Sequence, residues 1–328
     1  MLGPVLFLVF FDSLFDVVEN HLSVFADDST LWAPIPSVAQ RAAVADSLNR
    51  DLVRIRAWAR AWLVTHNHTK TELLTVSRKA DVAAFRKNGV KSVKGRVVYL
   101  PSPNPNPHPT ILFHDTAIPE SPAVTVVGLT VSSTLSWTPH IKRISRNGKL
   151  ALSLLSRLRP FLSNAALSSI YKSHVRSRLE YLGPIWSGAS HTQLAALDRV
   201  QDRAVRIFGA KEGLKLQCLA HRRGVSSVCF LHRLLNKVAP PAVHDLAPKL
   251  ARTRRVTRGS VRAPPYLIEA TVHRQDPAYW VSSCINSATT AYNALSLKCQ
   301  KETKLQRFKK LANATSLPPP FTVSATPK

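Results

Sequence analysis

Acidic residues are scarce in this chain of 328 residues, which contains 19 Asp and Glu against 45 Lys and Arg and carries a formal net charge of +26. This excess is too large for an ordinary metabolic enzyme and larger than solubility requires. It implies a polyanionic partner, with nucleic acid favoured over an anionic membrane surface. The few acids are concentrated early, because residues 1–70 contain seven Asp and Glu against six Lys and Arg, whereas the remaining residues contain 12 against 39.

Glycine is also sparse, with 11 residues against 23 prolines. Neither G-x-x-x-x-G-K-[ST] nor G-x-G-x-x-G occurs, which removes the phosphate-binding loops expected of an unrelated metal-dependent phosphotransferase. No apolar run is long enough to span a bilayer. The apolar stretch from Val5 to Phe11 lacks a basic leading region and a small-residue cleavage site, so it predicts a buried helix rather than a signal peptide.

Cysteine is limited to four residues without a CxxC pair, which favours a reduced intracellular setting, nuclear or cytoplasmic. One spacing has four possible zinc ligands: Cys218 and His221, followed by Cys229 and His232. The apolar residues between and after them instead predict a packed helix, in which cysteine behaves as a small apolar residue.

Two adjacent aspartates, Asp27 and Asp28, are the most informative feature of the chain. Apolar residues flank them in HLSVFADDSTLW, residues 21–32, which predicts a strand, a two-residue turn and a second strand with the carboxylates at the end of the hairpin. Two like charges side by side repel each other, and a divalent cation neutralises them. Such ligands suit Mg²⁺, which binds through one or two carboxylates and substrate phosphates. A simple Asx-type turn is the alternative.

The surroundings of this pair resemble the reverse transcriptase of non-LTR (LINE, jockey-like) retrotransposons. There an Ala-Asp-Asp hairpin belongs to the polymerase palm, and here Phe25-Ala26-Asp27-Asp28 follows a Leu2-Gly3-Pro4 start and precedes a long amphipathic helix. Further segments similar to that family occur in its order, at residues 62–72, 127–131, 135–141, 170–175, 179–186 and 197–207, and more loosely at 292–295 and 308–309.

The resemblance implies an RNA-directed DNA polymerase that adds deoxynucleotides to a DNA primer on an RNA template with the help of two Mg²⁺ ions. It makes Asp27 a shared metal ligand and Asp28 a supporting or second-metal ligand. Lys70 matches the lysine that donates a proton near the departing pyrophosphate; a lysine in solvent is the alternative. The family also needs a third carboxylate and a fingers region from upstream, so we expect a truncated product without polymerase activity by itself.

The combined patterns predict an α+β fold. We expect a partial polymerase palm, an antiparallel sheet with packed helices, in residues 1–136; a helical thumb-like domain in residues 137–210; and a basic, loosely ordered, partly helical region in residues 211–328. Within the palm, the sequence predicts a helix from a capping box at Ser37 to about residue 64, strands at 71–76, 110–118 and 123–131, and an exposed proline-rich connector at 101–109.

The thumb-like region is predicted to contain helices that begin near Thr138, Ser163 and Ser190. The first helix should bury one side that includes Ile141, Ile144, Leu150 or Ala151, Leu154 or Leu155, and Leu158.

A basic face is predicted on the first two of these helices, where it would contact phosphates without reading bases. Its residues are Lys142, Arg143, Arg146, Lys149, Lys172 and Arg176. The competing hypothesis is a non-catalytic RNA- or DNA-binding remnant that uses this region while the Asp pair is a relic. The arginine-rich run at 252–258 suits nuclear import, RNA contact or a solvated linker. The sequence sets no oligomeric state.

Overall fold

The structure is a computed structural model that describes residues 2–76, 90–93, 96–99, 109–249, 268 and 284–317. This part of the chain is α+β, with many helices and small antiparallel sheets. The chain divides into two compact units, residues 1–139 and residues 140–328. Residues 140–210 and 211–328, which the sequence assigned to separate regions, share the second unit. The proline-rich segment at 101–108 and the arginine run at 252–258 lie outside the described residues.

The described residues of the first unit form two α-helices and four β-hairpins. Its helices are α1 (Leu2–Asp12) and α2 (Arg41–Ala61), and 3₁₀ turns lie at Phe15–Val17, Val38–Gln40 and His68–Lys70. Its strands are β1 (His21–Phe25), β2 (Asp28–Trp32), β3 (Val90–Val93), β4 (Arg96–Tyr99), β5 (Leu112–Phe113), β6 (Thr116–Ala117), β7 (Ala123–Val126) and β8 (Leu129–Ser132).

Each strand pairs only with its neighbour in sequence, so the described residues form four two-stranded antiparallel sheets. The predicted single strands at 110–118 and 123–131 are wrong, because each is a hairpin. Val127 and Gly128 both have positive φ, as do His114 and Asp115, and two such residues form the turn whose twist suits a tight hairpin. The predicted strand at 71–76 is reduced to a single bridge between Leu73 and Glu120.

The core of the first unit lies between α2 and the segments that precede it. Leu14, Ile55, Trp58 and Ala59 are buried there, and Leu22 and Leu31 from the first hairpin pack against them. The helix α2 begins after a 3₁₀ turn rather than with the predicted capping box, since the Ser37 hydroxyl bonds to the Gln40 side chain and not to a backbone N–H.

The helix α1 forms where the sequence places a helix, but the prediction that it is buried is wrong. None of its residues is buried, and only Phe10 and Phe11, at its end, contact the ring of Trp58. Residues 2–11 are all uncharged, so the helix has no polar side. The sequence periodicity therefore cannot show which face of the helix is covered.

The second unit is helical throughout its described residues apart from an isolated bridge position at Ile268. Its helices are α3 (Thr138–Arg157), α4 (Asn164–Ile170), a continuous π-helical turn (Tyr171–Arg176), α5 (Ser177–Glu180), α6 (Gly183–Trp186), α7 (His191–Phe208), α8 (Ala210–Gly213), α9 (Leu219–Leu235), a 3₁₀ helix (Pro241–Leu246), α10 (Cys284–Asn293), α11 (Leu297–Gln300) and α12 (Leu305–Ala314).

The three predicted helix starts of this region are confirmed, and α3 begins at Thr138. The Ser163 hydroxyl accepts a hydrogen bond from the N–H of Ala166, and Ser190 with Gln193 forms a complete capping box. Such caps satisfy backbone donors that the first turn leaves without partners.

The buried side of α3 agrees with the predicted one at Ile141 and Leu155 and differs from it elsewhere. Ile141, Ser145, Gly148, Leu152 and Leu155 are buried, and a Cβ atom added to Gly148 would lie 3.0 Å from Leu179 and 3.2 Å from Val200. Small residues therefore bring α3 close to its neighbours. Leu150, Leu154 and Leu158 are exposed instead.

The described C-terminal residues pack onto α9 in a second core. Val228 and Leu231 of α9 are buried with Tyr292, Cys299 and Phe308. The imidazole of His232 stacks on the ring of Phe308 at a centroid distance of 3.8 Å. Residues 284–317 are thus helical and share a core with residues before 249.

Candidate metal-binding hairpin and basic helical face

The hairpin that carries the two aspartates has the predicted two-residue turn. Phe25 pairs with Asp28, so the turn consists of Ala26 and Asp27, and Asp28 is the first residue of β2. Ala26 has a φ of 53°, in the left-handed region, whereas Asp27 is not among the described residues with positive φ. An L-residue in that region is strained by about 1–3 kcal/mol.

Both aspartates are exposed, and their carboxylates form no hydrogen bond or ion pair with any described residue. Phe25, beside them, is 63% exposed and therefore does not pack on the core. Exposed adjacent carboxylates without a cationic partner fit the ligand set that Mg²⁺ accepts when phosphates and water complete its shell. The described residues bring no third His, Cys, Asp or Glu side chain close enough to complete a metal site from protein alone.

Asp51 on α2 fixes the segment that leads into this hairpin, and sequence reasoning missed it. Its buried carboxylate accepts hydrogen bonds from the backbone N–H of Glu19 at 3.0 Å and of Asn20 at 2.9 Å, from the Asn20 side chain at 2.7 Å and from Arg54 at 3.0 Å. Burial alone would raise the pKa of Asp51, but these hydrogen bonds outweigh it and hold the pKa below its ordinary value.

No sequence signal marks Asp51, because two of its partners are backbone groups about 30 residues earlier. Their N–H groups would lack an acceptor if this carboxylate were absent. Arg54 also pairs with Glu19 at 2.7 Å, which closes a small network at the base of the hairpin.

Lys70 ends the short 3₁₀ helix His68–Lys70 and is exposed. Its ammonium group makes no ion pair with a described residue. The contacts of the described residues do not connect it with Asp27 or Asp28, so its assigned role as a proton donor stays a prediction.

The helix α3 presents three of the predicted basic residues to solvent. Lys142, Arg146 and Lys149 are exposed, and Arg143 is half-buried. The first two lie four residues apart and the third follows after three, so they share one side of the helix. They form a basic row suited to a phosphate backbone.

Lys172 and Arg176 lie in the π-helical turn and are half-buried. Burial lowers the pKa of Arg176, the nearby Arg222 lowers it further, and Glu180 opposes both. Glu180 itself receives two hydrogen bonds from Arg222, one of them 2.7 Å long from Nη2. The carboxylate of Glu180, which lies near Arg176, is therefore already paired with Arg222.

Deeper ion pairing supports the same region. Arg223 is 4% exposed, and its guanidinium contacts Asp198 at 3.1 and 3.2 Å. The buried Tyr171 hydroxyl donates to Gln201 at 3.1 Å, and the Gln201 amide donates to the carbonyl of Gln217 at 3.2 Å. The π-helical turn is therefore held from its inner side.

The alternative zinc site is not assembled. The Cys218 thiol caps α9 by accepting from the N–H of His221, and the His221 ring bonds to the carbonyl of Asn313 at 3.1 Å. Burial raises the pKa of the Cys229 thiol to about 11, which disfavours the thiolate that zinc requires. His232 is stacked on Phe308. The packed-helix interpretation of this segment is confirmed.

No protein-family model, curated protein or solved structure matches this chain. Within the part that the structure describes, every helix is too short or too polar to cross a bilayer.

Proposed function

We propose that this chain is the hairpin-to-thumb portion of a non-LTR retrotransposon reverse transcriptase. In this proposal the first unit supplies part of the palm and its Asp27–Asp28 metal ligands, and the second unit supplies the thumb, whose basic face holds an RNA–DNA duplex. Nucleotidyl transfer belongs to the intact parent enzyme. The chain by itself binds a divalent cation and nucleic acid without extending a primer.

The exposed pair of carboxylates on a strained turn carries this proposal. Both carboxylates are exposed and neither forms an ion pair with a described residue, so a divalent cation would relieve their mutual repulsion. Asp51 holds the base of the hairpin, so Asp27 and Asp28 project from a fixed support. When bound, Mg²⁺ would stabilise the attacking and leaving oxygens of phosphoryl transfer.

The basic face supports the nucleic-acid part of the proposal. Lys142, Arg146 and Lys149 are exposed on one side of α3, in a chain with a net charge of +26. Lysine and arginine contacts to phosphates give affinity that depends on salt and not on sequence. Such binding suits a thumb, which follows a duplex of any sequence.

Metal binding is tested with Mn²⁺, a paramagnetic substitute for Mg²⁺. We expect Mn²⁺ to broaden the amide NMR signals of residues 25–30, and the paired change Asp27→Asn with Asp28→Asn to abolish this broadening. Asp46→Asn is the matched control, because Asp46 is exposed on α2. Equal broadening in the paired variant and in the wild type would refute the metal site.

Primer extension separates the two functional hypotheses. With an RNA template, a DNA primer, Mg²⁺ and deoxynucleotides, we expect no extension by this chain, since the described residues supply only two of the ligands. Extension that is lost on Asp27→Ala would instead establish an active polymerase. A chain that binds RNA but shows no Mn²⁺ broadening would be the non-catalytic remnant.

The nucleic-acid interface is tested by fluorescence anisotropy with an RNA–DNA hybrid over a range of salt concentrations. The triple change of Lys142, Arg146 and Lys149 to Ala should reduce the slope of log K against log salt by about 2–3. A control triple change of Lys298, Lys301 and Lys310 to Ala removes the same charge from exposed positions elsewhere. Equal loss in both variants would show that net charge, and not this face, determines binding.

A further inference from the structure

Two exposed apolar surfaces of the chain have opposite local charge. The N-terminal surface consists of α1 and the two acids that follow it: Leu2, Val5, Leu6, Leu8, Val9, Asp12 and Asp16. The α3 surface consists of the outer side of α3 and two exposed apolar residues after its end: Lys142, Arg146, Lys149, Leu150, Leu154, Arg157, Leu158 and Phe161. Exposed apolar patches of this extent mark interaction sites.

The N-terminal surface is apolar and acidic. Its large side chains are 56–69% exposed. Residues 1–40 contain five Asp and Glu and no Lys or Arg. Asp12 and Asp16 are exposed and form no ion pair with a described residue. An anionic lipid surface would repel this end of the chain, and the 11 residues of α1 span about 16 Å, which is half of a bilayer core.

The α3 surface is apolar and basic. Leu150, Leu154 and Phe161 are 58%, 62% and 80% exposed. Residues 138–161 contain six Lys and Arg and no Asp or Glu. Lys142, Arg143, Arg146 and Lys149 precede the exposed apolar residues, whereas Arg157 and Arg159 lie among them.

The order of the two characters along the chain is reversed between the surfaces. On α1 the apolar residues come first and the acids follow; on α3 four basic residues come first, and the apolar residues follow with Arg157 and Arg159 among them. An antiparallel contact therefore aligns apolar with apolar and acidic with basic. With Leu6 opposite Leu154, Asp12 falls opposite position 148, one residue from Lys149. The helical part of this apolar stretch, residues 150–157, is about 12 Å long, against about 16 Å for α1, and a turn at residues 158–161 continues it.

From this match we propose that the N-terminal surface docks on the α3 surface of a second copy of the chain. Each copy carries both surfaces, so the contact is heterologous. It joins chains head to tail, or it forms a dimer in which each copy's N-terminal surface binds the α3 surface of the other. It covers apolar side chains that water otherwise contacts and neutralises charge on both sides. The inference does not depend on the proposed reverse transcriptase origin.

Sedimentation velocity of the nuclease-treated full chain tests the proposal. We expect the mean mass to rise with concentration to at least twice the 36.2 kDa of one chain. Two variants, Leu6→Lys with Val9→Lys and Leu154→Lys with Leu158→Lys, should each stay at the mass of one chain. An equimolar mixture of these variants should associate again, because each retains the surface that the other lacks.

The control variant, Val53→Lys with Leu214→Lys, changes two exposed apolar residues outside both surfaces and should associate like the wild type. The charge contact is tested separately: Asp12→Lys should weaken association, and adding Lys149→Asp to it should restore the wild-type concentration dependence. Circular dichroism confirms that each variant keeps its helices.

Several results would overturn the proposal. A wild-type chain that is monomeric at every accessible concentration excludes the contact. A lysine variant that associates by itself would show that its intact surface binds its own kind. A mixture of the two variants that stays monomeric would exclude the contact between the two surfaces. A monomeric wild-type chain that binds neutral phosphatidylcholine vesicles would point to another occupant. If the change Leu6→Lys with Val9→Lys abolished this vesicle binding, the occupant of the N-terminal surface would be a lipid surface.

Discussion

The two units hold their elements together by different physical means. In the first unit, α2 secures the hairpins through polar contacts: Asp51 binds the segment before β1, Asn49 bonds to the backbone of Thr110 and Leu112, and Arg56 pairs with Asp115 at 2.8 Å. In the second unit, helices pack closely around Leu152, Trp186 and Leu197. Hydrogen bonds thus add to a small apolar core in the first unit, whereas close helix packing dominates in the second, where ion pairs such as Arg223–Asp198 add to it.

Backbone strain follows the same division. The described non-glycine residues with positive φ lie mainly in the first unit, at Ala26, Leu63, His114, Asp115, Val127 and Leu135, against Leu182 and Lys237 in the second. Tight hairpins require this conformation, whereas helices avoid it. The first unit thus stores strain in its turns and depends on polar anchors to keep them in place.

The largest effect should follow Asp51→Ala. It leaves two backbone donors without an acceptor and should destabilise the first unit by about 3–5 kcal/mol. Hydrogen exchange followed by mass spectrometry should show faster exchange in residues 14–60 and unchanged exchange in residues 140–240. Asp46→Ala, on the exposed side of the same helix, is the control and should change neither.

The same variant has a defined pH dependence. Because the folded pKa of Asp51 is below its ordinary value, its stabilising contribution is complete above the unfolded pKa and is lost as the pH falls through the folded pKa. The difference between wild type and Asp51→Ala should therefore shrink in acid. A difference that grows in acid would contradict the described hydrogen bonds.

The second unit should respond to a change of volume. Leu152→Ala removes a fully buried side chain from α3 and should destabilise that unit by about 2–5 kcal/mol. Leu154→Ala, two residues later but 62% exposed, should have an effect below about 0.5 kcal/mol in the monomer. Hydrogen exchange of residues 140–240, followed by mass spectrometry over a series of urea concentrations, measures both. Equal effects would mean that the buried side of α3 is misassigned.

Added volume should also act on the second unit. Gly148→Ala places a methyl group 3.0 Å from Leu179 and 3.2 Å from Val200, so we expect a loss of about 1–3 kcal/mol in the same urea experiment. Gly3→Ala meets no atom within 4 Å and should be neutral or slightly stabilising. If Gly148→Ala left the free energy of unfolding unchanged, the contact of α3 with Leu179 and Val200 would be one that adjusts to an added methyl group.

The smallest effect should come from Ala26→Gly, which relieves strain in the first unit. Glycine adopts positive φ freely, although it also gains entropy in the unfolded chain, so the net stabilisation should be about 1 kcal/mol or less. Thermal unfolding measures it. The Mn²⁺ broadening described above should persist, since both carboxylates remain; its loss would show that the strained turn itself is needed for metal binding.

The sequence predicted the features that local chemistry determines. An acidic turn between apolar residues specified the hairpin at 21–32, and Ser190 with Gln193 specified the start of α7. The sequence-based prediction was wrong where residues distant in sequence determine which side chains are buried. Leu150 and Leu154 are more apolar than Ser145 and Gly148, yet the small residues are buried because neighbouring helices approach there. Asp51 gave no signal, since its acceptor role depends on backbone groups far away in sequence.

Helix length in the second unit has one consequence for evolution. The π-helical turn at Tyr171–Arg176 accommodates an extra residue within an otherwise continuous helix. Deleting one residue there would restore α-helical hydrogen bonding in that turn, so the residues after it would keep their place along the helix. Leu179 would stay beside Gly148, and Glu180 would stay beside Arg222. Single-residue deletions should therefore be tolerated better in this stretch than in α7, where a deletion rotates everything after it by about 100° about the helix axis.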